Sequence, residues 1–147
     1  MLSIGSDHAG YHLKKELMQA LDRKGIAYQD EGTYTGEAVD YPQIAEKVAR
    51  AVASGACEQG ILVCGTGIGM SICANKVRGI RAAVCHDVFS ARMTRMHNDA
   101  NILCMGERVI GPGLALDVLD AWLSASFEGG RHQRRVDMIR SLDEAQS

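Results

Sequence analysis

Residues 60–71, Gly-Ile-Leu-Val-Cys-Gly-Thr-Gly-Ile-Gly-Met-Ser, run an unbroken apolar segment into a glycine-rich turn, and no other stretch constrains the fold as strongly. Ile61, Leu62 and Val63 show no polar alternation, the pattern of a parallel strand covered by helices on both faces. Gly65, Gly67 and Gly69 then remove the side chains where a helix is expected to begin. Backbone N–H groups at a helix N-terminus carry partial positive charge, so this turn suits an anion. A thiol, Cys64, stands at its lip.

The remaining chain repeats the unit. Residues 1–5 read as a strand, and Ser6-Asp7-His8-Ala9-Gly10 as a polar turn opening a helix to about residue 24. Leu13, Leu17 and Leu21 form its apolar stripe and Gly25 its end. A second strand is expected at 26–29, followed by a long polar loop over 30–40 that is a candidate site wall. Pro42 starts a second helix that Asp40 can cap, with Ile44, Val48 and Val52 inward and Gly55 closing it. The helix after the glycine turn is expected over about 68–77, a fourth strand over 80–85, and a helix over about 88–96. His97-Asn98-Asp99 closes that helix, with asparagine tolerating the turn. A fifth strand follows at 101–105, then an amphipathic helix through Leu114, Val118, Leu119, Trp122 and Leu123. A last helix starts at about Arg131. Five strands alternating with helices predict one α/β domain over residues 1–147: a Rossmann-like α/β/α sandwich with a five-stranded parallel sheet and an extra C-terminal helix.

Composition excludes several classes. A net charge of −2 gives no electrostatic reason to expect nucleic acid or an acidic membrane as partner. No apolar run approaches the roughly 18 residues of a membrane span, and the start of the chain has no signal-peptide pattern, so a cytoplasmic protein is expected. Five cysteines without a C-x-x-C fit neither a disulfide framework nor a zinc site. His8 and His12 share helical spacing, but no third ligand accompanies them.

Known glycine motifs fit the turn poorly. In the dinucleotide fingerprint the third glycine comes one residue later, where Met70 stands, although Asp87 sits about where a ribose-binding acid would. No Lys-Ser or Lys-Thr follows, so it is not a P-loop. Cys64 to Ser71 has the spacing of a phosphatase loop, yet Met70 replaces the arginine that would balance phosphate charge.

Ligands of parallel α/β sheets bind beyond the carboxyl ends of the strands. Asp7, His8, Cys64 to Gly69 and Arg108 obey that rule, whereas His97 and Asn98 precede a strand and are expected at the opposite edge. Arg131, Arg134 and Arg135 crowd the first turn of a helix, where the macrodipole disfavours cations, and Arg131 and Arg135 share a face that can clamp a phosphate with Arg108 and His8. A thiol at a helix N-terminus, where amides favour its thiolate, can serve as a general base. The turn amides can hold an enediolate oxygen as they would an oxyanion.

The ordered set Ser6-Asp7-His8-Ala9-Gly10, Asp40-Tyr41-Pro42, Cys64-Gly65-Thr66-Gly67-Ile68-Gly69, Ala74-Asn75-Lys76, Gly79-Ile80-Arg81-Ala82, His97-Asn98-Asp99-Ala100-Asn101 and Glu128-Gly129-Gly130-Arg131-His132 resembles the ribose-5-phosphate isomerase B family, which includes the galactose-6-phosphate isomerase subunits. The resemblance spans nearly the whole chain. It implies a cofactor-free and metal-free aldose-ketose isomerase of the pentose phosphate pathway, acting on a small phosphorylated sugar, as a homodimer or homotetramer with sites shared between subunits. It places the base on Cys64, the ring-opening acid on His97 with help from Asp7, and a proton shuttle on Thr66. Gly65, Gly67, Ile68 and Gly69 then form the anion hole, Tyr41 and Asn98 contact the sugar, and His8, Arg108, Arg131 and Arg135 grip the phosphate. Where relatives use a glutamate base this chain has Met70, which cannot accept a proton. His86, Asp87 and Arg134 lie outside the recognised pattern. Ribose 5-phosphate is the first expectation, with allose 6-phosphate, galactose 6-phosphate or a tetrulose phosphate next. A phosphate-binding regulatory module without turnover is the alternative of another class.

Overall fold

The computed structural model describes residues 1–146. Strands β1 (Leu2–Ser6), β2 (Tyr28–Asp30), β3 (Gln59–Cys64), β4 (Ala82–Val84) and β5 (Ile102–Gly106) form one parallel sheet in the order β2-β1-β3-β5-β4. Helices α1 (Tyr11–Lys24), α2 (Tyr41–Ala53), α3 (Ile68–Ala74), α4 (Val88–Asn98) and α5 (Pro112–Ser124) alternate with the strands, and α6 (Arg131–Ala145) follows. The expected α/β sandwich is present. No helix of the described residues is long and apolar enough to cross a membrane.

Strand periodicity sorts the core into two layers. Ile61 and Val63 of β3 face one side with Leu103 and Met105 of β5, while Leu62 and Cys64 face the other with Ile102 and Cys104. The first layer is closed by Leu13, Leu17 and Leu21 of α1, Ala91 of α4, and Val118, Leu119 and Trp122 of α5. The second is closed by Ile44, Val48 and Val52 of α2 with Met70 and Ala74 of α3. Full burial of one such large apolar side chain contributes about 1.5–3 kcal/mol, so packing of these stripes holds the helices in place. Buried Trp122 keeps its polar atom satisfied by donating Nε1–H to Gln59 Oε1 at 2.9 Å.

Lys14 lies on the same buried face of α1 as Leu17 and Leu21 and is only 1% exposed. Its Nζ donates to Asp30 Oδ1 and to the Thr33 carbonyl, each at 2.7 Å, and so ties α1 to the segment leaving β2. Removing one partner of such a buried pair costs about 3–5 kcal/mol. The leucine stripe gave no sign of it.

Several element ends differ from expectation. Helix α3 stops at Ala74 and β4 begins only at Ala82 because asparagine side chains take over the backbone partners between them. Asn75 accepts from the Ala82 N–H at 2.8 Å and donates to the Ala82 carbonyl at 3.0 Å. Asn101 accepts from the Arg81 N–H at 2.8 Å and donates to the Gly79 carbonyl at 2.9 Å. Asp40 sits at the N-cap of α2, but its side chain makes no capping bond; it lines a surface recess with His8, Val39 and Gln43 instead. At the end of α4 the left-handed residue is Asp99, with φ of 48°, not asparagine. Asp99 is held there by Arg81 and Arg95, whose Nη atoms lie 3.5 and 3.2 Å from its carboxylate.

Candidate active site

The carboxyl ends of β1, β3 and β5 open into a cleft lined by Asp7, His8, Tyr41, Cys64, Gly65, Thr66, Gly69 and Arg108. Its volume, about 320 Å³, is at the small end of ligand pockets. The cleft suits a small ligand and is open to solvent on one side.

Cys64, the last residue of β3, is 5% exposed, and its Sγ accepts the Gly67 N–H at 3.1 Å. Ile68 donates its N–H to Thr66 Oγ1 at 3.2 Å. Two amides of the glycine turn thus orient the turn's own thiol and hydroxyl. Gly67 is needed twice over: its φ is +79°, and a Cβ there would stand 2.9 Å from the Met105 carbonyl carbon. At Gly69 a Cβ would stand 2.6 Å from the Tyr41 ring, so the missing side chain brings that ring onto the turn.

The Asp7 side chain and the Arg108 main chain are fixed by backbone contacts. Asp7 is buried, and its Oδ1 accepts the N–H groups of Ala9 and Gly10 at 3.0 and 3.1 Å, which caps the turn presenting exposed His8. Arg108 donates its N–H to the Gly65 carbonyl at 3.1 Å, and the preceding Glu107 carboxylate accepts the Leu13 N–H of α1 at 2.6 Å. Sequence reasoning missed Glu107, whose signal is an acid near the start of α1 in space but not in sequence.

A second group of predicted residues lies elsewhere. His97 and Asn98 end α4 just before β5 enters the sheet, while Gly106 leaves β5 level with Cys64. The five residues of β5 span roughly 13 Å between these ends. His97 stacks on His132 with ring centroids 4.1 Å apart and planes 13° from parallel, and its Nε2 lies 3.3 Å from Glu128 Oε1. Burial, reinforced by His97 and Arg131, holds His132 below the ordinary histidine pKa. Arg131, Arg134 and Arg135 stand exposed on the first turns of α6 beside this stack. None of His97, Asn98, Arg131 or Arg135 lines the Cys64 cleft within one chain. His132 was missed as a neighbour of His97 because 35 residues separate them.

His97, Glu128 and His132 place one potential metal-ligand atom each within 4.8 Å of one another. Nearly parallel imidazole rings keep their nitrogen lone pairs in parallel planes, so this arrangement does not aim both histidines at one ion.

Of the residues outside the recognised pattern, Asp87 caps α4 by accepting the Ser90 N–H at 2.7 Å and the Ser90 hydroxyl at 2.8 Å. That is a structural role for the acid the dinucleotide reading would have used on a ribose.

A sequence model of the family described as Ribose/Galactose Isomerase matches residues 2–139. The chain belongs to this family. Among family relatives, the ribose-5-phosphate isomerase B of Escherichia coli (strain K12) is 49% identical, covering 97% of this chain and 96% of that one. D-erythrulose-4-phosphate isomerase of Pectobacterium atrosepticum is 47% identical, covering 94% and 91%. The solved ribose-5-phosphate isomerase B of Clostridium thermocellum superposes with a TM-score of 0.97 at 55% identity, over 99% of each chain.

Proposed function

We propose that this chain is an aldose-ketose isomerase that interconverts ribose 5-phosphate and ribulose 5-phosphate through a cis-enediolate. The observation that carries the reading is the oriented thiol. Cys64 Sγ is held by the Gly67 amide on the floor of a cleft ringed by Asp7, His8, Thr66, Tyr41 and Arg108, in a chain of the ribose and galactose isomerase family.

As thiolate, Cys64 removes the proton from C2 of the open-chain aldose, and the electron pair passes to O1 to form the enediolate. The same sulfur returns the proton to C1, while Thr66 moves a proton between O2 and O1. Amides of the Gly65–Gly69 turn stabilise the developing negative charge. His8 and Arg108 hold the phosphate from the cleft side, and Arg131 and Arg135 close on it from the other. His97, assisted by Asp7, opens the furanose ring, and Tyr41 and Asn98 orient the sugar.

This assignment needs the His97 group of a second copy against the Cys64 cleft of the first. A two-fold dimer supplies that pairing twice. Ile68 and Ile72 of α3 and Ile139 and Leu142 of α6 are exposed apolar side chains that such an interface would cover. The dimer, the shared site and the residue roles are one proposal.

A four-carbon substrate is the second reading, favoured by the 47% identity to the D-erythrulose-4-phosphate isomerase. Steady-state kcat/KM across four-, five- and six-carbon aldose and ketose phosphates decides between them. The expected maximum is at ribose 5-phosphate and ribulose 5-phosphate; a higher value for a tetrulose or hexose phosphate overturns that choice. Deuterium incorporation at C2 of ribose 5-phosphate from heavy water separates an isomerase from a module that only binds phosphate.

A further inference from the structure

His86 is one of the histidines that the functional reading leaves unused. It lies two residues beyond the end of β4, and its Nε2 accepts the N–H of Gly106 at 2.8 Å. That N–H is buried, and the neighbouring strand stops at Val84, with Cys85 already donating to the Cys104 carbonyl. The imidazole takes the place of the missing strand as acceptor.

Gly106 is also the residue against which the glycine turn rests. Cys64 and Gly106 are paired in the β3–β5 ladder, and Glu107 donates its N–H to the Cys64 carbonyl at 2.9 Å. A Cβ on Gly106 would stand 2.5 Å from Thr66 Cα, so the two backbones touch. The next amide, that of Arg108, bonds the Gly65 carbonyl. The exit of β5 is thus clamped between His86 on one side and the Cys64–Thr66 turn on the other.

We propose that His86 is a positioning residue for the isomerisation: its Nε2 holds Gly106 against the turn and so sets where the Cys64 sulfur and the Thr66 hydroxyl meet the substrate. This rests on the reading of Cys64 as the base. To accept from an amide, His86 must be neutral with its proton on Nδ1, because an imidazolium has no free lone pair. Burial lowers the His86 pKa and favours that neutral form, with Asp87 opposing in part. The other ionisable groups adjoining the contact are the Cys85 and Cys104 thiols, the Cys64 thiol across the ladder and, following Gly106, Glu107 and Arg108.

His86→Leu keeps bulk and removes the acceptor, whereas His86→Gln places an amide oxygen where Nε2 was and does not titrate. Steady-state rates of the full chain on ribose 5-phosphate, beside melting temperatures, separate the outcomes. His86→Leu is expected to lower kcat by about ten- to a hundredfold through misplacement of the thiol, with KM nearly unchanged. His86→Gln is expected to recover most of that loss and to lack the acid-side fall in kcat that protonation of His86 adds to the wild-type profile. Should His86→Leu not fold, nitrogen-15 correlation spectra of the wild type read the contact directly. Protonated Nδ1 and a Gly106 amide shift that follows His86 titration support it; protonated Nε2 overturns it. An active wild type with undiminished kcat in His86→Leu, or a His86→Gln no better than His86→Leu at equal melting temperature, overturns this inference alone. A wild type without turnover on any sugar phosphate overturns the functional reading and this inference with it.

Discussion

At the carboxyl end of the sheet the Cys64 and Asp7 side chains and the Arg108 main chain are fixed by backbone hydrogen bonds, whereas at the amino end of β5 His97 is held by other side chains and Arg131 stands in solvent. The first region is built by the sheet itself. Strand ends, a glycine turn and a capped turn after β1 leave Cys64 and Asp7 little freedom to move, while the exposed side chains of His8 and Arg108 extend from anchored backbone. The second is built on two helix ends, where an exposed carboxylate and a ring stack set the geometry. Preorganised dipoles belong where charge develops during a reaction. A looser, partly solvated group is better suited to receiving a substrate or another subunit. This contrast accords with assigning proton transfer at carbon to the Cys64 end, and ring opening and half of the phosphate grip to the His97 end.

Mixing variants tests that contrast most severely. Cys64→Ala and His97→Ala are each expected to lower kcat on ribose 5-phosphate by about 10²- to 10⁴-fold. Cys64→Ala should leave substrate affinity by calorimetry largely intact, and His97→Ala should lose little on an acyclic analogue. When the two variants are mixed and allowed to exchange subunits, about a quarter of wild-type activity should return, because half the dimers are mixed and each has one intact site of two. If no activity returns, the two regions do not meet across subunits.

A smaller effect is expected at the phosphate. Arg131→Ala or Arg135→Ala should raise KM for phosphorylated sugars by about 10- to 100-fold, the worth of a charge-assisted hydrogen bond, and leave affinity for the unphosphorylated sugar unchanged. Equal weakening of both ligands would remove these arginines from the phosphate grip.

Smallest is the pH response of stability. His86 at one end and His132 at the other both have folded-state pKa values below the ordinary histidine value. The unfolded chain therefore binds these protons more readily than the fold. Stability from each is fully present above about pH 6.5 and is lost as pH falls through that range towards the lowered values. Urea midpoints measured against pH should fall on acidification, and His86→Gln or His132→Gln should each flatten the curve. An unchanged curve in both would show that neither imidazole is kept neutral by the fold.

Much of the architecture was legible because it rests on local pattern. Ile61 to Val63 announced a strand buried on both faces, and Leu13, Leu17 and Leu21 announced a helix facing the sheet. The cleft residues after β1, β3 and β5 were legible for the same reason, since a parallel sheet places the carboxyl ends of its strands together. Illegible were the contacts between segments far apart in sequence. Asn75 and Asn101 shortened β4, Lys14 was buried against Asp30 and Thr33, Glu107 reached α1, and His132 stacked on His97. Each depends on where two remote segments meet.

By itself the sequence determined the alternation of strands and helices, the two-sided burial of the sheet and the glycine turn after Cys64, because periodicity and glycine placement act over a few residues. The tertiary structure alone decided that Gly67 turns its amide onto the Cys64 sulfur and that His86 clamps the Gly106 exit, while the expected separation of His97 from the thiol within one chain is a strand's length. The strand order β2-β1-β3-β5-β4 is the physical reason. It sets β5 between β3 and β4, so the backbone leaving β5 touches Cys64 on one side and His86 on the other, while the helix that feeds β5 delivers His97 to its far end.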